Sequence, residues 1–433
     1  MSEQITKEEL VKDIEELRDR LLTELSEKGA DERLKDLFSN CFMSTAETTV
    51  EEMNENGTFL ITGDIKAMWL RDSSAQVVHY LPFADKDKVI AGMIKGLIKK
   101  QFYFINMDPY ANAYNQTASG ARWANDITDM NEHEWERKYE VDSLCYPVKL
   151  LWDYYRKTGD LTVFTEEVHE GLKRIVSVFR TEQHHFEESP YRFTRTNCPP
   201  SDTLHNDGMG EPVGYTGMTW SGFRPSDDAC RYGYLIPSNL FAGVILEYVA
   251  EAAKEIYKDR ELFLSATSLR RQILDGVKTH GIVEDEKGNV MFTYECDGLG
   301  NTFFMDDANV PSLLSLPWLG VCAKDEKLYL NTRKAVLSRL NPYYYEGSAA
   351  KGIGSPHTPE GYIWHIGLCM QGLTSADNEE RGELLKTLTE TDGGKCFMHE
   401  GFNKDNPAEY TRDWFAWANS LFALFVLDYY GLN

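Results

Sequence analysis

Three short stretches of the chain place carboxylates in company that suits chemistry better than solvation. The run Thr62-Gly63-Asp64-Ile65-Lys66-Ala67-Met68-Trp69-Leu70-Arg71-Asp72-Ser73-Ser74 mixes two acids with Trp and Arg just ahead of an apolar helical pattern. Residues 220–230 set Asp227 and Asp228 side by side after an Arg-Pro turn, and residues 396–402 set Glu400 among apolar neighbours with no adjacent Lys or Arg. Adjacent desolvated acids do not ionise together, so one of them can keep a proton and serve as a general acid. A buried Glu gains basicity, which suits a group asked to deprotonate water. Two carboxylates flanked by Trp, Tyr, Arg, Asn and His are what hydrolysis of a glycosidic bond requires. Each stretch also admits a plain structural reading. Asp72 or Ser73 would cap the following helix, Arg71 would pair with an Asp to hold its loop, Asp228 would close an Asx-turn, and Glu400 would bond to backbone in the core.

Competing chemistries lack their motifs. The chain contains no G-x-x-x-x-G-K-[ST] loop, no G-x-G-x-x-G after a strand, no H-E-x-x-H, no C-x-x-C and no G-x-S-x-G elbow. His184-His185 lies beside charged residues and is expected to face solvent. Most other acids sit in charged runs that read as solvated helix faces. With 45 basic against 69 acidic residues the net charge is −24, which argues against nucleic-acid or membrane-surface partners, and no basic patch offsets it. A 42% hydrophobic composition, rich in Tyr, Phe and Trp, demands a large core. The N-terminal residues lack a secretory pattern and no stretch of 18 apolar residues occurs, so a cytoplasmic protein is expected. Its eight scattered cysteines fit reduced core residues. The acidic surface suits a monomer.

These side chains need a scaffold. Leu10, Ile14, Leu17, Leu21 and Leu25 mark an amphipathic helix within residues 1–28. Helical patterns recur at 31–48, 73–82, 86–106, 142–158, 161–183, 236–256, 259–280, 310–316, 324–339, 361–374, 378–390 and 413–430, about twelve or thirteen helices in all. Strand signals are few: residues 290–294 after a turn at 286–289, and residues 191–193. No linker divides the chain, so residues 1–433 read as one domain. Long loops at 107–135, 191–235, 340–360 and 391–412 carry too many Trp, His and Arg residues to be idle. An all-α helical toroid with these loops at one mouth is expected.

The three carboxylate stretches, together with Met305-Asp306-Asp307-Ala308-Asn309-Val310-Pro311-Ser312-Leu313-Leu314, resemble the signature blocks of glycoside hydrolase family 125. The resemblance runs from about residue 30 onward. It implies an (α/α)6 barrel and an exo-acting α-1,6-mannosidase that releases non-reducing terminal mannose from oligosaccharides with inversion, without metal or other cofactor. The general acid maps to Asp227, with Asp228 as the alternative, and the general base to Glu400. Inversion leaves room for a water, so the two carboxyl groups are expected roughly 6.5–9.5 Å apart. Arg71 and Asp72 are expected on the sugar hydroxyls, with Trp69, Asn115, His205, Arg224 and His399 as further binding candidates from the blocks and loops. Asp306 and Asp307 read mainly as caps. The alternatives are another toroid sugar enzyme, such as a calcium-dependent α-1,2-mannosidase or a phosphorylase, or a glycan-binding protein without turnover.

Overall fold

The computed structural model describes residues 5–433, and the first four residues of the expected N-terminal segment lie outside it. The helices are α1 Lys7–Glu27, α2 Glu32–Ser44, α3 Leu70–Ala75, α4 Lys88–Met107, α5 Val141–Thr158 and α6 Glu166–Thr181. They continue as α7 Ile236–Ala252, α8 Arg260–His280, α9 Lys327–Val336, α10 His365–Thr374, α11 Asn378–Glu390 and α12 Ala416–Tyr430. An apolar core runs through them from Leu10 to Leu427.

The helices start in two different ways. Thr6, Asp31, Asp87, Thr165, Asp259 and Asp377 cap α1, α2, α4, α6, α8 and α11, each accepting hydrogen bonds from first-turn N–H groups. The starts of α3, α5, α7, α10 and α12 carry no side-chain cap; the residues before them are Trp69, Glu140, Leu235, Trp364 and Phe415. Loop groups satisfy these starts instead: Leu70 N donates to Asn112 O, Val141 N to Ser221 Oγ, Ile236 N to Tyr294 O and Ala416 N to Thr62 O. These five pack against one another as the inner layer, whereas α9, which also starts without a side-chain cap after Glu326, packs on the Val290–Phe292 strand. α3 packs on α5 and α12, α5 on α7, and α10 on α12. α7 and α12 bury nearly their whole circumference, as helices surrounded by others must.

The arc between α7 and α10 differs from expectation. Residues 310–316 form turns rather than a helix. Asp306 accepts from Leu313 N (2.7 Å) and Leu314 N (2.9 Å), so it anchors these turns in place of capping the expected helix, and Pro311 and Pro317 flank a stretch too short to propagate. Tyr146 Oη donates to Val310 O at 3.0 Å, tying these turns to α5.

Three small antiparallel sheets rim the inner helix starts. β1 (Met68–Trp69), β2 (Ala113–Tyr114) and β3 (Glu134–Glu136) form the first, in that order. β4 (Tyr234–Leu235), β5 (Glu295–Cys296) and β6 (Thr302–Phe303) form the second, with β5 central. β7 (Tyr362–Trp364), β8 (Gly401–Asn403) and β9 (Tyr410–Thr411) form the third, with β8 central. β1, β4 and β7 each run directly into an inner helix. The expected turn at 286–289 joins Ile282–Glu284 to Val290–Phe292 in a hairpin, whereas residues 191–193 form no strand. His185 is buried and bonded to Glu182 at 2.5 Å, not solvent-facing, because its ring stacks on Trp220. All eight cysteines are free. No helix among the described residues is long and apolar enough to cross a membrane.

Candidate active site

The inner helix starts and the rim loops converge on a pocket of about 390 Å³. Trp69, Arg71 and Asp72 enter it from the β1–α3 junction, Trp364 from the end of β7, and Phe415 and Trp417 from the start of α12. Asp227 and Glu400 also line it. The pocket continues outward into a wider trough of about 1550 Å³; Ile65, Trp69, Asp227, His357, Glu400 and Arg412 belong to both.

Asp227 projects from a tight turn. Arg224 N donates to Asp228 O (2.8 Å) and Asp227 N to Arg224 O (2.9 Å), leaving Asp227 at φ 66°. Asp tolerates this left-handed region better than most residues. One carboxylate oxygen accepts from Asn112 Nδ2 (3.3 Å) and Arg71 (3.4 Å), and Lys138 Nζ holds the Asp227 carbonyl at 2.7 Å. Arg71, 3% exposed, is the hub of this wall. Its guanidinium reaches Glu140 (2.5 Å), Asp142 (3.4 Å), Asp227 (3.4 Å) and Asp72 (3.6 Å). Burial raises Asp72, Glu140 and Asp142, the last to about 6, against the pull of Arg71. Burial would raise Asp227 too, but Arg71, a hydrogen bond with Glu140, and Lys138 together hold it below the ordinary range.

Glu400 stands on a different kind of wall. It immediately precedes the central strand β8, whose Gly401 pairs with Trp364. Arg412 Nη1 lies 3.7 Å from its carboxylate, the one ion pair Glu400 makes among the described residues. Arg412 has φ 53°, grips Asp64 with two nitrogens and covers the Phe415 ring at 4.5 Å. Gly63 makes this approach possible: it sits at φ +133°, and a Cβ there would lie 2.5 Å from Trp414 O. Opposite, His357 Nδ1 meets Asp228 at 3.4 Å. Burial opposes its charge, but Asp228, Glu400 and Asp227 raise it to about 9.

Of the residues expected from sequence, Trp69, Arg71, Asp72, Asp227 and Glu400 share this pocket; Asn115, His205, Arg224 and His399 do not line it. Asn115 donates to Ala121 O (2.8 Å) and Glu132 O (3.2 Å), ordering its own loop. His205 is exposed on Glu211 (2.7 Å) beside a separate groove. Arg224 is buried on Glu295 at 2.6 Å. His399 stacks on Tyr410, its ring nitrogens facing the carbonyls of Arg412 and Asp392, so it supports β8 from behind. Polar residues in these loops hold the loops together before they can serve a ligand. The sequence reading did not single out Glu140, Asp142, Asn112, Lys138, His357 or Arg412. The signal for the first two was present: Glu140-Val141-Asp142 places two acids at the start of an apolar helix, a pattern that passes for ordinary capping.

A family model described as metal-independent alpha-mannosidase (GH125) matches residues 31–427. The chain belongs to glycoside hydrolase family 125. A Streptococcus pneumoniae structure from work on metal-independent alpha mannosidases, a non-productive substrate complex with alpha-1,6-mannobiose, is 44% identical to this family member. It has a TM-score of 0.93 and covers 96% of this chain and 99% of its own. The meiotically up-regulated gene 157 protein of Schizosaccharomyces pombe is 36% identical over 432 residues, 95% of this chain and 85% of that protein. A wild-type glycosidase structure, 11% identical with a TM-score of 0.54 and covering 92% of this chain and 97% of its own, shares the fold alone. The family 125 chain described here is therefore a glycosidase.

Proposed function

We propose that this glycosidase removes non-reducing terminal α-1,6-linked mannose from oligosaccharides by a single inverting displacement, with Asp227 as general acid and Glu400 as general base. The observation that carries the reading is that both carboxylates line one pocket while meeting opposite demands. Asp227 shares the Arg71 guanidinium with three further buried acids, of which Glu140 is driven toward its protonated form by burial, and Glu400 faces the pocket with one ion-pair partner, Arg412. The acid protonates the glycosidic oxygen as the bond from the anomeric carbon breaks. The base takes a proton from the water that attacks the opposite face. Asp228 fits the acid role less well: one oxygen meets His357, and the residue lines the trough but not the narrow pocket.

Arg71 and Asp72 at the pocket floor suit a diol, and Trp69, Trp364 and Trp417 suit the C–H faces of a sugar ring. A narrow pocket opening into a broad trough suits a chain end entered from one side, which favours exo action on mannose-containing oligosaccharides. We read the inner and outer helices as one (α/α)6 catalytic domain, the turns of 306–321 standing in for one inner helix.

Proton NMR of the protein with α-1,6-mannobiose tests this. Prompt β-mannose, unchanged by EDTA, is expected. First-formed α-mannose would overturn inversion and the role of Glu400. Loss of activity in EDTA would point to the calcium enzymes, and binding without release to a glycan-binding protein.

A further inference from the structure

The acid wall contains two carboxyls that the reaction does not use, Glu140 and Asp142, and the first is placed to act on Asp227. Glu140, 1% exposed, is the residue before α5. Its Oε2 is fully engaged by Arg71 Nη1 (2.5 Å) and Ser143 Oγ (2.6 Å). Its Oε1 is buried with no donor facing it. A carboxylate oxygen cannot stay so at neutral pH without large cost; it must carry a proton or rest on one. The neighbouring acid is Asp227, whose carboxylate the other arm of the same guanidinium holds at 3.4 Å, and each of the two carboxyls shifts the other's proton affinity.

Resting on the assignment of Asp227 as the acid, we propose that Glu140 is its positioning residue: the two carboxyl groups hold a single proton between them, and this sharing keeps Asp227 able to donate at neutral pH. With the proton on Glu140, Asp227 is ionised; with it on Asp227, Glu140 is ionised and held by Arg71 and Ser143. The exchange moves one proton across one hydrogen bond and leaves the pair at a net charge of −1. Donation to the glycosidic oxygen takes the pair to −2 as the electrons of the broken bond pass to that oxygen. Glu400 then releases to solvent the proton it took from water, and solvent returns one proton to the pair.

The surroundings set the direction of the effect. Arg71 and Lys138 face the pair with positive charge, Asp72 and Asp142 with negative charge, and His357 stands across the pocket. Glu400 lies beyond it, and Tyr191 and Cys230 approach Glu140 from behind. Without the negative charge that Glu140 can supply, the cations would make Asp227 a stronger acid, so it would lose its proton at lower pH.

The test is the pH dependence of kcat/KM on two substrates, α-1,6-mannobiose and α-mannosyl fluoride, whose leaving group needs no proton. Glu140→Gln should move the alkaline limb for mannobiose to lower pH by at least about one unit, roughly a tenfold loss on that limb. Its fluoride hydrolysis should stay within about threefold of the parent at neutral pH. Glu140→Asp, which keeps the charge but withdraws the carboxyl by one methylene, should move the limb the same way by less, and it serves if the Gln variant does not fold. A parental alkaline limb in both variants, or in the Asp variant alone if the other does not fold, overturns the proposal. Asp227→Asn separates this from the underlying reading. It should lose mannobiose and keep the fluoride, and equal activity on both would mean that the acid itself is misassigned.

Discussion

The two walls of the pocket differ in how they hold charge. On the acid wall, Asp72, Glu140, Asp142 and Asp227 crowd one buried guanidinium, with Lys138 behind. On the base wall, Glu400 has one cation, and that cation is shared with Asp64 near the solvent. Crowding in low dielectric makes Asp72, Glu140 and Asp142 retain protons beside Asp227, whereas Glu400, with one arginine beside it and the pocket in front, leaves room for a water to approach. One fold thus supports opposite proton chemistry by changing how many acids share each arginine.

The contrast breaks most completely at the carboxylates themselves. Asp227→Ala and Glu400→Ala should each lower kcat on α-1,6-mannobiose by about 10²–10⁴-fold. Only Glu400→Ala should also lose α-mannosyl fluoride, as steady-state rates would show. Arg71→Met comes next: it strands four acids in the interior, and chemical denaturation should read a loss of about 3–5 kcal/mol at neutral pH, shrinking as the acids protonate below pH 5. Arg412→Ala should be gentler, because its site is nearer solvent. We expect kcat to fall about 10- to 100-fold with little change in Tm.

His357 sharpens the comparison through pH. Its raised value, about 9, means that its ion pair with Asp228 stabilises the fold fully below pH 6.5 and loses that contribution as pH rises through 9. The Tm gap between parent and His357→Asn should therefore close above pH 9. His205→Ala, remote from both walls, should leave kcat/KM within about twofold.

What could be read in advance followed from local sequence. Amphipathic stripes gave α1 and α8, and near-continuous apolar runs gave α7 and α12, to within a few residues, since both are short-range properties of the chain. Trp69, Arg71, Asp72, Asp227 and Glu400 were legible because each stands among residues whose types conflict with a solvated surface. Arg224 and His399 carried the same local signal, yet Glu295 and two backbone carbonyls occupy them, partners that the sequence does not place beside them. Glu140 and Arg412 failed in reverse. Their importance comes from Asp227 and Asp64, 87 and 348 residues away along the chain.

The seam between residues 45–65 and 412–420 bears on how the protein is made. Gly63 bridges to Phe415, Trp414 Nε1 donates to Thr48 at 3.1 Å, and α12 packs on α2 and α3. A ribosome adding about 5–20 residues per second needs roughly 17–70 s to pass from α3 to α12. Until then the nascent chain has α3 with only α5 of its two inner neighbours and Arg71 without the Trp417 face it meets at 5.9 Å. Glycosidase activity therefore waits for α12, and a chain halted between residues 401 and 411 carries Asp227 and Glu400 but no finished wall to hold the second.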